Sequence, residues 1–336
     1  MKKILILKPR LDVMFKKGPV PKERGEIAPI REHWKNFVNN LASDHEAKGN
    51  NVKVLELPNW QFTPAVVEHY KPDMVYIPHR QFHQFPVDEK YNPRYYMQMV
   101  FPWLFQIDPT GWGPDASVYP IQKESGHPDV YDELRERQLQ GLSKFDQPAM
   151  DHPKNSPKPW LPFSKEAAER KGYLFFPCQI PHDETIKFHS EVSVAEALRT
   201  TVEVAKELDK ELIIKGHPVN PGSMDELKQI APPLVGDGKG THIWADNVNI
   251  NHLIANADAV VMVNSGVGME SILHGKRVAV FGDADYDSVV CKVSPSTALD
   301  KISSLLGSDP DVDSYRTFIN TYVTKMYDSR PQYRHN

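Results

Sequence analysis

The chain has 336 residues, 25% of them charged, with a formal net charge of −4 and a mean hydropathy of −0.51. That is length enough for two domains, each with its own core, and an ordinary soluble globular composition. No apolar run approaches the 18 residues of a membrane span, so no integral membrane segment is expected. The two cysteines, Cys178 and Cys291, give no disulfide framework and suit a reducing, cytoplasmic setting.

Taken in order, the apolar stretch Ile4–Leu7 is too short for a signal peptide and reads as part of a first strand, Lys3–Leu7. A basic loop, Lys8–Arg31, leads into an amphipathic helix over Ile30–Lys48. Residues 1–35 carry ten Lys/Arg against four Asp/Glu, while the rest of the chain carries 30 against 40. A basic segment on an acidic protein points to an anionic partner, or is simply a solvated loop. Val52–Leu57 reads as a strand, Thr63–His69 as a short helix and Met74–Ile77 as a strand. Residues 78–128 turn irregular, and a helix is expected over Asp129–Leu142. The proline-rich residues 146–164 read as an interdomain linker.

Beyond it, Gly172–Phe176 is an expected strand, Val194–Leu208 a helix and Glu211–Lys215 a strand running into Gly216-His217-Pro218. Met224–Ile230, Thr241–Trp244 and Ile250–Asn256 read as short helix, strand and short helix. Residues 258–286 are the most informative stretch. Val260–Val263 has the β-branched character of a strand buried on both faces. Asn264-Ser265-Gly266 is a turn, Val267–His274 has helical spacing closed by Gly275, and Arg277–Phe281 is a further strand. Strand, small-residue turn and helix place free backbone N–H groups where phosphate binds. Ala298–Leu306 and Asp313–Met326 close the chain as helices. Strand–helix alternation in both halves gives an α/β fold of two Rossmann-like domains facing a cleft, with ligands at the carboxyl ends of the strands. The expected divisions are 1–160, 161–310 and a C-terminal helical segment, 311–336, packing back toward the first domain.

Three strand ends in the second half carry polar groups. They are the segment holding Gln179 and Asp183, then Lys215-Gly216-His217-Pro218, then Asn264-Ser265-Gly266-Val267-Gly268-Met269-Glu270. The order QxxxD, K-x-H-P, NSxxGxE and a strand ending in GDAxY resembles the capsule polysaccharide biosynthesis family, over roughly residues 172–290. That family includes retaining β-Kdo transferases using CMP-Kdo. The resemblance implies a GT-B-like glycosyltransferase, with the nucleotide-sugar donor on 161–310 and the acceptor on 1–160.

By position, the resemblance makes Asp183 the carboxylate nucleophile of a two-displacement reaction. His217 would contact the donor phosphate and help the nucleotide leave. Ser265 with the N–H groups of Gly266 and Val267, beside Asn264, would hold phosphate, and Glu270 would accept ribose hydroxyls. Gln179 and Lys215 would orient the sugar or its carboxylate. One departure is Gly216, where many relatives carry proline. The first half offers no acceptor base that can be matched, and only a faint similarity around Phe105–Ser117.

Plainer readings stand beside these. Asp183 is also a good helix cap, and His217-Pro218 a good turn. Ser265 lacks the G-x-S-x-G surroundings of a nucleophile. Asp283-Ala284-Asp285 resembles a metal-binding D-x-D, and His79 and His83 stand at i,i+4 without a third ligand; neither is read as a metal site, and no cofactor is expected. Cys178 reads as a buried thiol.

For the acceptor, residues 76–112 hold ten Phe, Tyr or Trp with Arg80 and Arg94 among them. Such rings stack on sugars or bases, or else staple a core. Lys8, Arg10, Lys16, Lys17, Arg80 and Trp112 are the candidate acceptor contacts, with Lys22 in the same basic loop. Two anionic acceptors follow: a surface glycan or its lipid anchor, or phage-type DNA carrying a hydroxymethylated base, to which the basic loop and the aromatic segment together, with no membrane-binding helix visible, tip the balance. A nucleotide-sugar epimerase and a sugar-nucleotide-binding protein without turnover are the alternatives of another class. The sugar, Kdo-like or a related pentose, is left open.

Overall fold

The computed structural model describes residues 1–10, 27–58, 61–80, 82–139, 170–217, 224–231, 242–246 and 248–330, with the side chains of 27–32 outside that description. Its described residues divide into two compact units, one formed by those within 1–119 and 322–330 and the other by those within 120–321. The expected boundary at 160 lies outside the described residues. Tyr131–Leu139 lies in the second unit, where the Tyr131 hydroxyl donates to Ile272 O at 3.0 Å. The expected linker, 146–164, lies outside the described residues.

In the first unit, β1 (Lys3–Pro9) is followed by α1 (Ile27–Ala47), β2 (Asn51–Leu57), α2 (Pro64–Tyr70), β3 (Met74–Pro78), β4 (Pro93–Gln98) and β5 (Leu104–Asp108). Residues alternate across the sheet as β geometry requires. Ile4, Ile6, Tyr76, Tyr96 and Phe105 pack with Trp34, Phe37, Val38 and Leu41 of α1. Leu5, Leu7, Val75, Ile77 and Tyr95 pack on the other face with Phe62 and Val67.

Residues 78–128 are not irregular throughout. β4 pairs in parallel with β3 and antiparallel with β5, opposing Tyr95 to Asp108 and Gln98 to Phe105. The turn joining them is held by buried Gln98, which accepts from Trp34 Nε1 at 3.0 Å and donates to Pro102 O at 2.6 Å. A bonded amide is what a buried polar side chain in a core turn requires.

The second unit runs α3 (Tyr131–Leu139), β6 (Tyr173–Pro177), α4 (Glu184–His189), α5 (Val194–Glu207), β7 (Leu212–Lys215), α6 (Asp225–Ile230), β8 (His242–Trp244), α7 (Ile250–Asn256), β9 (Ala257–Met262), α8 (Val267–Leu273), β10 (Arg277–Val280), β11 (Cys291–Lys292) and α9 (Ala298–Leu306). Every residue of β6 and β7 is buried, as strands covered on both faces must be. α10 (Val312–Thr324) carries the chain out of this unit. β12 (Tyr327–Asp328) then adds an antiparallel strand to β5 in the first sheet. Asn40 Nδ2 donates to Ser329 O at 3.1 Å and fastens that end.

Strand order fixes where ligands belong. Among the described residues the second sheet is β11-β10-β9-β6-β7-β8, and all its pairs are parallel. The chain leaves β6 outward through β7 and β8, then returns to β9 on β6's other side. The order reverses between β6 and β9, and the carboxyl ends there form the crevice in which open α/β sheets bind ligands. The first sheet, β12-β5-β4-β3-β1-β2, reverses likewise between β1 and β3. Each unit is thus a mostly parallel α/β sheet of Rossmann type, as the strand–helix alternation indicated.

Candidate functional site

The reversal point of the second sheet is bridged by side chains. Gln179 follows β6 and Asn264 follows β9, and the two form a reciprocal amide clasp. Gln179 Nε2 donates to Asn264 Oδ1 at 2.9 Å, and the Asn264 N–H donates to Gln179 Oε1 at 3.0 Å. Both ends of the Gln179 amide are therefore engaged within the protein. Those bonds tie the end of β6 to the turn after β9, with Gln179 at the crevice where its place after the strand puts it.

Asp183 is the N-cap of α4. Its Oδ1 accepts from the Thr185 N–H at 2.9 Å and from Thr185 Oγ1 at 2.8 Å. Both bonds fall on one oxygen, so Oδ2 takes no part in the cap. Capping and reactivity are compatible in this carboxylate, which is partly buried.

Across the crevice, Ser265 Oγ accepts from the Val267 N–H at 3.2 Å, and Ser265 O accepts from the Gly268 N–H at 2.9 Å. The Val267 N–H is thus already bonded by the serine hydroxyl. Gly266 is exposed and Glu270, in the first turn of α8, is buried. The turn is pinned from behind by Tyr286, whose hydroxyl donates to Ser265 O. Gly268 lies under that tyrosine, and a Cβ there would fall inside the ring's van der Waals radius. The NSxxGxE and GDAxY segments are therefore one packed unit. The glycine makes room for the ring, and the ring holds the turn.

The third strand end is ordered by the loop after β8. Lys215 Nζ donates to Asp246 O at 2.8 Å and Val248 O at 2.6 Å, with Ala245 O at 3.5 Å. A lysine so bonded staples that loop to the strand end. The Gly216 N–H donates to Asp246 Oδ1 at 2.7 Å, while Asp246 Oδ2 pairs with Lys228 at 3.1 Å. A Cβ on Gly216 would stand 2.8 Å from Asp246 Oδ1. A proline at 216 would also lack the N–H that Asp246 accepts. His217 is partly buried, its N–H on Met224 Sδ at 3.4 Å; Pro218 lies outside the described residues. Thr185, Asp246 and Tyr286 were not singled out from sequence. Only Tyr286 carried a signal, as the last letter of GDAxY.

On the first sheet, Lys8, Arg10 and Arg80 stand at or just after the ends of β1 and β3, beside its reversal point. Lys8 is paired across strands with Glu56 at 3.0 Å. The Arg10 N–H bonds Leu57 O at 2.9 Å, and Arg80 reaches His79 O at 3.4 Å. Lys16, Lys17 and Lys22 lie outside the described residues. Trp112 is buried, 7% exposed, so its ring is no open stacking surface. The aromatic run is chiefly core: Tyr95, Tyr96 and Phe105 are fully buried, and Phe37 stacks on Phe105 at 4.1 Å. Within the Phe105–Ser117 stretch, Asp108 is the organiser. It accepts the N–H and hydroxyl of both Thr110 and Ser117, which hold its carboxyl below the usual range despite burial.

His79 stacks on Trp34 while His83 faces Asp115 at 3.8 Å, so the two rings have separate neighbours. Asp283 and Asp287 share Lys292, at 2.5 and 2.9 Å. Among the described residues no group of three His, Cys, Asp or Glu is gathered as for a metal. Burial first, then the Asp287 charge, pushes the Asp285 carboxyl up to about 7. Burial raises the Cys178 thiol far above its ordinary value, which makes it inert. No described helix is long and apolar enough to cross a membrane.

Residues 163–290 match the family model described as capsule polysaccharide biosynthesis protein. Protein FixF of Sinorhizobium fredii is 29% identical over 163 residues, which is 46% of this chain and 39% of FixF, so the match spans about two fifths of that relative. Among solved structures, the KpsC beta Kdo 2,7 transferase of Thermosulfurimonas dismutans aligns with TM-score 0.50 and 14% identity, over 95% of this chain and 90% of that one. The beta Kdo 2,4 transferase of the same KpsC aligns with TM-score 0.49 and 14% identity, over 94% and 89%. At such identity the first of these likenesses is one of fold. Over residues 163–290 the chain thus matches the capsule polysaccharide biosynthesis family, the resemblance its motifs carried.

Proposed function

We propose that this protein is a retaining glycosyltransferase that moves a Kdo-like sugar from a nucleotide-sugar, CMP-Kdo in the favoured reading, to a hydroxyl of a surface glycan or its lipid anchor. The observation that carries the proposal is the meeting, at the reversal point of the second sheet, of a carboxylate with one oxygen outside its cap and a small-residue turn suited to phosphate. Both lie inside the stretch that matches the capsule family. In the first displacement, a carboxylate oxygen of Asp183 bonds to the anomeric carbon. The bond from that carbon to the phosphate oxygen breaks, and CMP leaves with the electron pair. His217 donates a hydrogen bond or a proton to the departing phosphate. In the second, the acceptor hydroxyl bonds to the same carbon and expels Asp183, its proton passing to a base or to solvent. Two inversions give net retention.

Ser265 and Gly266 are assigned to the phosphate and Glu270 to the ribose; Asp183 and His217 carry the chemistry. Gln179, Lys215 and Asn264 are struts of the site. The capsule-family match favours the glycan over hydroxymethylated DNA, and most rings of the aromatic segment, one of the two supports of the DNA reading, belong to the core. Incubation with CMP-Kdo followed by intact mass measurement tests the proposal. A mass increase of one sugar, absent in Asp183→Asn, is expected. Epimerised nucleotide-sugar with no adduct would instead establish the epimerase alternative. A salt-sensitive shift of hydroxymethylated DNA, lost on neutralising Lys16, Lys17 and Lys22, would return the acceptor to DNA.

A further inference from the structure

Asn264 precedes Ser265 in the turn after β9, and its place in the motif suggested contact with the nucleotide. Its side chain is committed elsewhere. Oδ1 accepts from Gln179 at 2.9 Å, and Nδ2 donates to Thr185 O at 3.0 Å and reaches His189 O at 3.4 Å. Those two carbonyls belong to α4, the helix whose cap is Asp183. Thr185 in turn gives both its N–H and its hydroxyl to Asp183 Oδ1. An unbroken path runs from the Ser265 turn through Asn264 and Thr185 to the carboxylate.

We propose that Asn264 is a positioning residue that couples the Ser265 turn to the Asp183 carboxylate through Thr185, and that it does not itself ligate the donor. The proposal rests on the reading of Asp183 as nucleophile and the Ser265 turn as phosphate site. α4 has six residues, too few to hold its own geometry, so its register depends on outside anchors. Asn264 supplies two, one near each end. Phosphate that orders the turn orders Asn264, and thereby α4 and its cap. Donor binding then aligns the attacking oxygen, where small misplacement is costly to rate.

The test uses the full chain, with CMP as the binding probe and CMP-Kdo as the reactive one. In Asn264→Ala and Thr185→Val, adduct formation at saturating donor slows about tenfold or more while the Kd for CMP stays within about threefold. Because both residues act along one path, the double variant is no slower than the slower single one. Thr185→Ser, which keeps the hydroxyl, restores the rate. Hydrogen exchange gives a readout independent of chemistry: CMP slows the amides of 185–189 in the wild type and leaves them unchanged in Asn264→Ala. Loss of CMP affinity in Asn264→Ala with the adduct rate intact makes Asn264 a ligand and overturns the proposal. Multiplying losses in the double variant do so too, as do wild-type 185–189 amides unmoved by bound CMP. A wild type that forms no adduct, yet shows the CMP-dependent protection and its loss, overturns the nucleophile reading and keeps the coupling. A wild type that binds no CMP overturns both.

Discussion

At Asp183, helix capping and the proposed attack draw on one carboxylate, and the two are separable because asparagine caps as well as aspartate. Asp183→Asn keeps an oxygen for the Thr185 N–H and hydroxyl but lacks a nucleophile. Its melting temperature is expected to match the wild type, with no sugar adduct. Asp183→Ala loses the cap as well, at a cost of about 1 kcal/mol, read as a lower denaturant midpoint. An asparagine variant that still forms adduct would remove Asp183 from the chemistry. Asp183 was legible as both cap and candidate, because both readings depend on local spacing. Gln179 and Lys215 are legible as polar residues at strand ends, but the bonds they make within the protein are not. Their partners, Asn264 and the carbonyls of Ala245, Asp246 and Val248, lie far away in sequence, and no local pattern shows that a polar atom is already bonded.

Among elements, the segments legible in advance were those whose burial is uniform. β6, β7 and β9 are apolar runs covered on both faces, and their periodicity needs no context. β4 and β5 escaped notice because their sequences, PRYYMQ and LFQID, bury Gln98, Gln106 and Asp108 among aromatics. Polar residues inside a core are affordable only once their tertiary hydrogen bonds exist. The same dependence on distant packing yields two predictions. Gly216→Pro removes the N–H held by Asp246 and pushes ring carbons toward that carboxylate, so a loss of about 2 kcal/mol or more is expected by chemical denaturation. Unchanged stability would mean that the Asp246 contact contributes nothing. Gly268→Ala drives a methyl into Tyr286 and is expected to cost about 1–3 kcal/mol. Paired with Tyr286→Ala, most of that added cost should vanish, since the collision needs both groups. Additive losses in the double variant would show that Gly268 is required for some other reason.

For the whole molecule, strand–helix alternation announces two α/β units, but strand order cannot be read from it, and the order creates the reversal points where the candidate residues gather. The return of the chain to the first sheet as β12 likewise depends on contacts such as Tyr327 with Asp44, far apart in sequence. A property that belongs to the molecule as a whole is its stability against acid, and two groups of the second unit oppose each other there. His274 is buried, bonded through Nε2 to Asn251 at 3.1 Å. Burial first, then Lys276 and Arg135, lowers its pKa from 6.5 to about 4. The unfolded chain takes up that proton below about 6.5 and the folded one only near 4. The neutral imidazole's contribution is therefore whole above 6.5 and is lost as pH falls to about 4, a change of about 3 kcal/mol. Asp285 acts in the opposite sense. Its folded pKa of about 7 exceeds the ordinary 3.8, so the folded state takes up the proton first and gains stability as pH falls from about 7. Between pH 6.5 and 4 the two contributions offset, and substitution unmasks each. Melting temperatures followed from pH 7.5 to 4.5 should fall less steeply on acidification in His274→Gln than in the wild type. In Asp285→Asn they should start higher above pH 7 and fall more steeply. Curves for both variants that run parallel to the wild type would place the acid sensitivity of this protein elsewhere.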